Sequence, residues 1–468
     1  MRRRRLLQAA AASGVAAVAL PRDAGAVEPM KFPAGFLWGT ATSSYQVEGR
    51  GERKADSIWD VFCRMPGKIK DSSNGDIADD HYHRYPEDIA LMARAGIKAY
   101  RFSISWPRVL PNGVGEPDRT GLDFYSRLTD ALLHAGIEPW VCLYHWDLPQ
   151  ALHERGGWTD RRIADWYADY AALIARTLGD RATRWVMLNE PSVHAILGWG
   201  LGEHAPGLKS RDAVFAVLHH QNLAQGRGIA ALRAIGGGRF HCGAALSLQP
   251  ARPADGLPAN AAAAEMWDAV WNRANLDPPV YGRYPAPIAA AVEPLVKSDD
   301  LAQIKQKWDF IGVNYYSRMY QKADPGGVFG TAWGAAPPGT PHTAMGWPVE
   351  PDGLREILLD LRDHYGNPPV YITENGACFA DTAGADGRID DRQRIAFLRD
   401  HIAACHHALA EKSNLRGYFA WTLLDNFEWA HGYTAPFGLV QVDRASQKRT
   451  PKASFDWFSG LAHSNTLG

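Results

Sequence analysis

The sequence has almost no net charge and few cysteines, and both features exclude classes of function. The 50 lysine and arginine residues nearly balance the 51 aspartate and glutamate residues, so the formal net charge is −1. A chain with this balance has no electrostatic footprint for nucleic acid or for anionic membranes. The five cysteines are scattered and show no Cys-X-X-Cys spacing. We therefore expect neither a disulfide framework nor a metal site.

The first 26 residues have the composition of an export signal. Residues 2–5 are arginines, residues 6–20 are apolar and rich in alanine, and Ala24-Gly25-Ala26 is a small-residue cleavage site. The apolar part is too short to span a membrane. The arginines before Leu6 resemble a twin-arginine signal, and a Sec signal is the alternative. We expect residues 1–26 to direct export to the periplasm or the cell exterior, and residues 27–468 to form one domain.

The alternation of strand and helix patterns predicts the fold class. Short β-branched runs alternate with longer helical patterns beyond residue 30, which favours βα units and a parallel sheet. Helical patterns at 86–95, 122–135, 163–178 and 213–235 stop at Gly96, Gly136, Gly179 and Gly236, where a left-handed residue is favoured. Eight strands are predicted, at 36–40, 97–103, 138–144, 185–189, 241–248, 309–315, 370–373 and 417–422. This is the pattern of a single (β/α)8 TIM barrel, whose functional groups lie at the carboxyl ends of the strands.

Two of the predicted strands end in a carboxylate. Residues 370–373 run into Glu374 and an Asn-Gly turn, and residues 185–189 run into Glu190 and a proline. An unpaired carboxylate inside a buried strand costs several kcal/mol, so both should lie at the rim of the sheet. Polar and aromatic residues also follow most of the other strands. A barrel would bring them together into a site with two carboxylates, amide and imidazole donors and indole platforms, which suits a sugar.

Six ordered motifs carry a family resemblance. Asn189-Glu190-Pro191 and Thr373-Glu374-Asn375-Gly376 resemble glycoside hydrolase family 1, the β-glucosidase family. The other four motifs lie at 36–49, 101–106, 144–149 and 425–429, and the resemblance covers about residues 31–460. It implies that residues 27–468 are a glycoside hydrolase catalytic domain.

The resemblance also implies a role for each matching residue. Glu190 would be the general acid/base and Glu374 the nucleophile, which Arg101 and Tyr316 would keep charged. Trp347 would be the platform on the leaving-group side. The residues expected to bind the substrate sugar are Gln46, His145, Trp146, Asn189, Asn314, Tyr316, Trp421, Glu428 and Trp429.

The expected reaction is the release of a terminal β-D-glucosyl residue from β-glucosides and cello-oligosaccharides, with retention and without a cofactor. The sugars β-galactose and β-fucose remain alternatives. The Glu428 carboxylate would repel a phosphorylated 6-position, and a glutamate at position 190 disfavours the myrosinase branch. Retention requires carboxyl groups about 5–5.5 Å apart, and inversion requires about 6.5–9.5 Å. The sequence does not measure that separation or the oligomeric state.

Two other functions remain open at this stage. An endo-acting enzyme would use similar carboxylates, and a sugar-binding module would lack one of them. The alcohol of another sugar could also replace water and give transglycosylation. We interpret His204, His219 and His220 as ordinary residues, with no carboxylate partner in the sequence pattern and no metal role.

The leader gives a direct prediction. The exported protein should begin near Val27, because the small residues at 24–26 form the cleavage site. Amino-terminal sequencing of the exported pool checks this. Intact Met1 in that pool would contradict it.

Overall fold

The structure, a computed structural model, describes residues 29–468, and the predicted leader lies outside that range. Eight parallel strands form a closed barrel, in which each strand pairs with the next along the chain and the last pairs with the first. The fold prediction is therefore confirmed. The strands are Leu37–Ala41 (β1), Ala99–Ser103 (β2), Glu138–Cys142 (β3), Arg184–Asn189 (β4), His241–Ser247 (β5), Phe310–Asn314 (β6), Val370–Asn375 (β7) and Leu415–Trp421 (β8).

One long helix follows each strand before the chain enters the next strand or ends. These helices are His81–Arg94 (α1), Arg119–His134 (α2), Ile163–Leu178 (α3), Arg211–Gly236 (α4), Pro258–Asp268 (α5), Pro351–His364 (α6), Arg392–Ala410 (α7) and Ala453–Ser464 (α8). Shorter α-helices are Ser44–Val47, Ile58–Cys63, Trp106–Val109, Gln150–His153, Pro191–Ala195, Asp277–Tyr281, Ala286–Val292 and Asp300–Ile304. Within residues 29–468, no helix is both long and apolar enough to cross a membrane.

The glycines at the predicted helix ends serve two different purposes. Gly96 and Gly136 have φ of 71°, the left-handed conformation expected after a helix. Gly179 and Gly236 have φ of −73° and −101°, so the prediction was wrong for them. Glycine is required at both positions because there is no room for a side chain. A Cβ would lie 2.4 Å from the Phe240 ring at Gly179 and 2.3 Å from it at Gly236. The pattern of a glycine after a helix does not distinguish a turn from a close approach.

Helix α1 begins about one turn earlier than predicted. The pattern placed its start at Pro86, but the helix runs from His81 and contains that proline. A proline lacks the N–H that would bond to the carbonyl four residues earlier, so it is tolerated best in the first turn. Here it lies just beyond the first turn. Packing of Ile89 and Met92 against the barrel core outweighs the missing hydrogen bond.

The barrel interior is a packed core rather than a pore. The ring of Trp140 on β3 lies 5.1 Å from Phe310 on β6, 5.0 Å from Phe419 on β8 and 4.7 Å from Tyr371 on β7, centroid to centroid. Because these aromatic side chains fill the amino-terminal half of the barrel, polar side chains can converge only at the carboxyl-terminal half.

Strand β7 is longer than predicted. The sequence pattern ended it at Thr373, but it continues through Glu374 and Asn375, and Glu374 lies opposite Asn314 of β6. The argument from the cost of an unpaired charge placed Glu374 at the carboxyl end of the strand, at the rim of the sheet, and Glu374 is the second-to-last residue of β7. The charge is paired inside the barrel, so the strand accommodates it.

Three small sheets complete the fold. Ala251–Pro253, Met319–Ala323 and Thr331–Trp333 form a three-stranded sheet, here called the side sheet, from segments that follow β5 and β6. Met30–Lys31 pairs with Thr466–Leu467, and Val440–Val442 pairs with Arg449–Pro451. Within the described residues the five cysteines are free thiols.

Candidate active site

A cavity of about 460 Å³ opens at the carboxyl ends of the strands and contains both catalytic candidates. Nine of the residues predicted for the site line it, namely His145, Trp146, Glu190, Tyr316, Trp347, Glu374, Trp421, Glu428 and Trp429. The other four, Gln46, Arg101, Asn189 and Asn314, are fully buried behind this lining. Barrel closure therefore brings all the predicted site residues to one place.

Glu374 at the end of β7 is held by a cation and a phenol. The Arg101 guanidinium of β2 forms an ion pair with it, and the Tyr316 hydroxyl donates a hydrogen bond of 2.6 Å to Oε2. Burial raises the pKa of Glu374, while Arg101 and Tyr316 oppose this by favouring the charged form. The carboxyl group is 3% exposed, so these two partners replace water as its solvation.

Glu190, directly after β4, forms no ion pair with any residue in the range 29–468 that the structure describes. Asn314 donates a hydrogen bond of 3.0 Å to its Oε1. Burial, followed by the charge of Glu374, raises the pKa of Glu190 well above its ordinary value. The two carboxyl groups thus differ, because the surroundings of Glu190 favour its protonated form, whereas the Arg101 guanidinium favours the charged form of Glu374. This is the difference that separates an acid from a nucleophile.

A network of amides connects the two carboxyl groups. The Oδ1 of Asn189 accepts from Arg101 at 2.7 Å and from Asn314 at 3.0 Å. The Nδ2 of Asn189 donates to Nε2 of His145 at 3.0 Å. Burial lowers the pKa of His145 well below its ordinary value, which favours the neutral ring. The Nδ1 atom of this ring is buried and has no hydrogen-bond partner among the described residues.

Gln46 and Glu428 form a second polar pair. The Gln46 amide donates to the Phe427 carbonyl at 2.9 Å and to Oε2 of Glu428 at 3.4 Å. Burial, with the charge of Glu374, raises the pKa of Glu428 to about 8. Gln46 lies behind this carboxylate and sets its orientation, whereas Glu428 itself faces the cavity.

Aromatic rings form the walls of the cavity. His145 stacks between Trp421 and Trp429, at centroid distances of 5.9 and 5.8 Å. On the other side Trp347 packs edge-on against Tyr316 at 5.4 Å. Flat apolar faces beside polar donors suit a pyranose ring.

Three residues of the site have a left-handed backbone although they are not glycines. Trp146, Glu190 and Trp429 have φ of 76°, 46° and 46°. Such conformations cost about 1–3 kcal/mol each and persist where the surrounding structure imposes them. Their concentration around one cavity indicates that the fold gives up stability to aim these side chains.

Two parts of the site were not predicted. Gln249, just after β5, accepts hydrogen bonds from the backbone N–H groups of Tyr316 and Ser317 at 3.2 and 3.0 Å. A polar residue after the one strand without a proposed site residue was the signal that could have found it. His204 also lines the cavity rather than being an ordinary core residue.

The expectation that the histidines lack carboxylate partners was wrong for His219. Its Nε2 lies 3.0 Å from Asp300 Oδ2, and its Nδ1 lies 2.9 Å from the Tyr284 hydroxyl. His220 contacts the Trp158 carbonyl at 2.9 Å. Both are explained by packing between α4 and its neighbours.

The family profile described as glycosyl hydrolase family 1 matches residues 28–467. The chain belongs to this family. The predicted resemblance is thereby confirmed, and the protein is a glycoside hydrolase with the (β/α)8 fold of the family.

Named relatives agree with this assignment. Beta-glucosidase A of Thermotoga maritima is 43% identical over 444 residues, which are 93% of this chain and 99% of that protein. The bifunctional beta-D-glucosidase/beta-D-fucosidase of Bifidobacterium breve is 43% identical, with coverage of 92% and 97%. The structure of the Thermotoga maritima beta-glucosidase in complex with deoxynojirimycin is 42% identical, has a TM-score of 0.88, and covers 94% of this chain and 100% of that one.

The Tyr316–Glu374 contact predicts a pH effect. Tyr316→Phe removes a hydrogen bond that lowers the pKa of Glu374, so that pKa should rise. When the medium is acidified, Glu374 should then take up a proton, and activity should fall, at a higher pH than in the wild type. We expect the acidic limb of kcat/KM on an aryl β-glucoside to move up by about one pH unit. Tyr320→Phe is the matched control, because the Tyr320 hydroxyl contacts Glu350 and should leave that limb in place. An unshifted limb in Tyr316→Phe would contradict the assignment.

Proposed function

We propose that this protein is an exo-acting retaining β-glucosidase, with Glu374 as nucleophile and Glu190 as acid/base. The observation that carries the proposal is the asymmetry of two buried carboxyl groups in one cavity. One is paired with a guanidinium and a phenol, and the other has no cation and a strongly raised pKa.

The first displacement uses both groups. A carboxylate oxygen of Glu374 attacks the anomeric carbon, and the bond from that carbon to the leaving oxygen breaks. Glu190 gives its proton to the leaving oxygen, so the aglycone departs as an alcohol. Tyr316 and Arg101 keep the attacking carboxylate charged before the attack.

The second displacement reverses the roles. Once Glu374 is an ester its charge is gone, and the second cause of the raised pKa of Glu190 disappears. Glu190 then takes a proton from water, whose oxygen attacks the anomeric carbon and releases Glu374 as a carboxylate. Two inversions at one carbon give retention.

The contacts of Asn314 support the short carboxyl separation of a retaining enzyme. Its amide donates to Glu190 at 3.0 Å and to Asn189 Oδ1 at 3.0 Å, and Asn189 also accepts from Arg101, the ion-pair partner of Glu374. The two carboxyl groups are thus joined by a short series of direct side-chain contacts, which favours the separation of about 5–5.5 Å over the wider gap that would admit a water.

The polar end of the cavity supports recognition of a terminal sugar. Glu428 and Trp421 line this end of the cavity, and the Gln46 amide behind them donates a hydrogen bond of 3.4 Å to Oε2 of Glu428. Such an end offers acceptors to sugar hydroxyl groups and stops the chain there. It disfavours an endo-acting enzyme. Glu428 offers no positive charge to a 6-phosphate, so a phosphorylated sugar is disfavoured there.

The leader supports a proposal for the cellular compartment in which the protein acts. We infer export of the folded domain, supported by the basic and apolar regions at residues 2–20 and by the cleavage site at 24–26.

The nucleophile can be tested by chemical rescue. Glu374→Ala should lower kcat for an aryl β-glucoside by a factor on the order of 10⁴ or more, because no covalent intermediate can form. Added azide should enter the vacated space and restore turnover with the α-glucosyl azide as product, which chromatography and NMR identify. Activity like that of the wild type without azide would refute the assignment.

Replacing the acid/base should give a different kinetic result from replacing the nucleophile. Glu190→Ala should lose about 10²–10⁴-fold on substrates with poor leaving groups and much less on activated aryl glucosides, since only the former require protonation. Azide should now replace water in the second step and give the β-glucosyl azide. Equal losses for good and poor leaving groups, or an α-product, would exclude the acid role.

A further inference from the structure

One buried glutamine beside the catalytic cavity has no role in the mechanism. Gln249 lies two residues after β5 and is 2% exposed. Its Oε1 accepts hydrogen bonds from the backbone N–H groups of Tyr316 and Ser317 at 3.2 and 3.0 Å. Its Nε2 donates to the Ser247 hydroxyl and to the Asn314 carbonyl, both at 3.2 Å. A side-chain amide accepts two hydrogen bonds and donates two, so protein groups occupy the whole capacity of Gln249 and leave none for a ligand.

The backbone that Gln249 holds carries two side chains to the catalytic carboxyl groups. Strand β6 ends at Asn314, whose amide donates to Oε1 of Glu190 at 3.0 Å. Two residues later, the Tyr316 hydroxyl donates to Oε2 of Glu374 at 2.6 Å. Because Tyr316 lies beyond the end of the strand, its backbone N–H bonds to a side chain instead of a neighbouring strand. The backbone position of Tyr316 therefore depends on Gln249.

Gln249 is itself fixed from the helical side of the barrel. Its backbone N–H donates to Oδ1 of Asn272 at 3.0 Å, and its carbonyl accepts from Nδ2 of Asn272 at 2.9 Å. Asn272 lies in the segment Ala269–Arg273 that continues α5, and it also donates to Asp268 at 2.8 Å. The segment that carries Tyr316 is thus connected through Gln249 to α5, and such support is what holds a catalytic group in its working geometry.

We propose that Gln249 is a positioning residue for the nucleophile, which holds the backbone of Tyr316 so that the phenol reaches Glu374. A hydrogen bond weakens steeply as its distance and angle depart from the ideal, so a small shift of the Tyr316 backbone weakens this contact. The inference rests on the proposed role of Glu374 as nucleophile and adds a residue that acts on it indirectly.

Charged and titratable groups from several strands also face Glu374. Besides Tyr316 they are Arg101 on β2, Cys142 on β3, Glu190 after β4 and Glu428 after β8. Within residues 29–468, Gln249 forms no hydrogen bond with any of these four side chains. Gln249 can therefore influence Glu374 through Tyr316 or through Asn314, and the two routes predict different outcomes when the Tyr316 hydroxyl is absent.

The test measures the pH profile of kcat/KM on 4-nitrophenyl β-glucoside. Gln249→Met keeps the length of the side chain and removes its hydrogen bonds, so it should lower kcat/KM by about three- to tenfold. It should also move the acidic limb upward by about half a pH unit, because a weaker contact from Tyr316 lets the pKa of Glu374 rise. In a Tyr316→Phe background, Gln249→Met should move the limb no further, because the hydroxyl that it positions is gone.

Gln225→Met is the matched control. Gln225 is buried on α4, has no hydrogen-bond partner within residues 29–468 and does not line the catalytic cavity. The same substitution there should leave the limb in place.

Asn272→Ala provides an independent variant and replaces Gln249→Met in the test if that variant does not fold. It releases the backbone of Gln249, so it should move the limb in the same direction by a smaller amount. An unmoved limb in the folded variants would overturn the proposal. An equal further shift in the Tyr316→Phe background would also overturn it, because the effect would then not pass through Tyr316. Wild-type activity in Glu374→Ala would instead overturn the proposed function itself.

Discussion

The buried ion pair between Arg101 and Glu374 is the interaction on which the site depends. Arg101 is fully buried, and its guanidinium divides its hydrogen bonds between Glu374 and Asn189. Removing two charges from water costs several kcal/mol each, so such a pair is weak evidence for stability. The pair matters for the chemistry of the site, because Arg101 favours the charged form of Glu374 in a cavity where burial raises the pKa of Glu190, Glu374 and Glu428.

The rest of the site follows from that single cation. Within the described part of the chain, neither Glu190 nor Glu428 forms an ion pair with a guanidinium, although both share the cavity with Glu374. Burial together with the Glu374 charge raises the pKa of both, which favours their protonated forms. The amides of Asn189 and Asn314 fix the geometry between the strands. The left-handed backbone at Glu190 is a further cost that the packed barrel below supports.

The tryptophans of the chain fall into two groups according to where they lie, in the barrel core or at the cavity. Trp140 fills the barrel axis, so it closes the amino-terminal half. Trp421 and Trp429 line the cavity that contains the two carboxyl groups. The sequence alone does not show whether a given tryptophan packs in the barrel core or lines the cavity. The same apolar ring can pack against other core side chains or against the face of a pyranose.

The sequence by itself determined the fold class, the strand positions and the two carboxylates, because strand and helix patterns are local and each motif lies within a few residues. It could not determine why Gly179 and Gly236 are glycines, since the reason is the ring of Phe240. Nor could it show the partner of His219 or the contacts of Gln249. Only the tertiary structure decided which side chains face one another. Those outcomes depend on contacts between residues far apart in the chain, and closure of the barrel creates them.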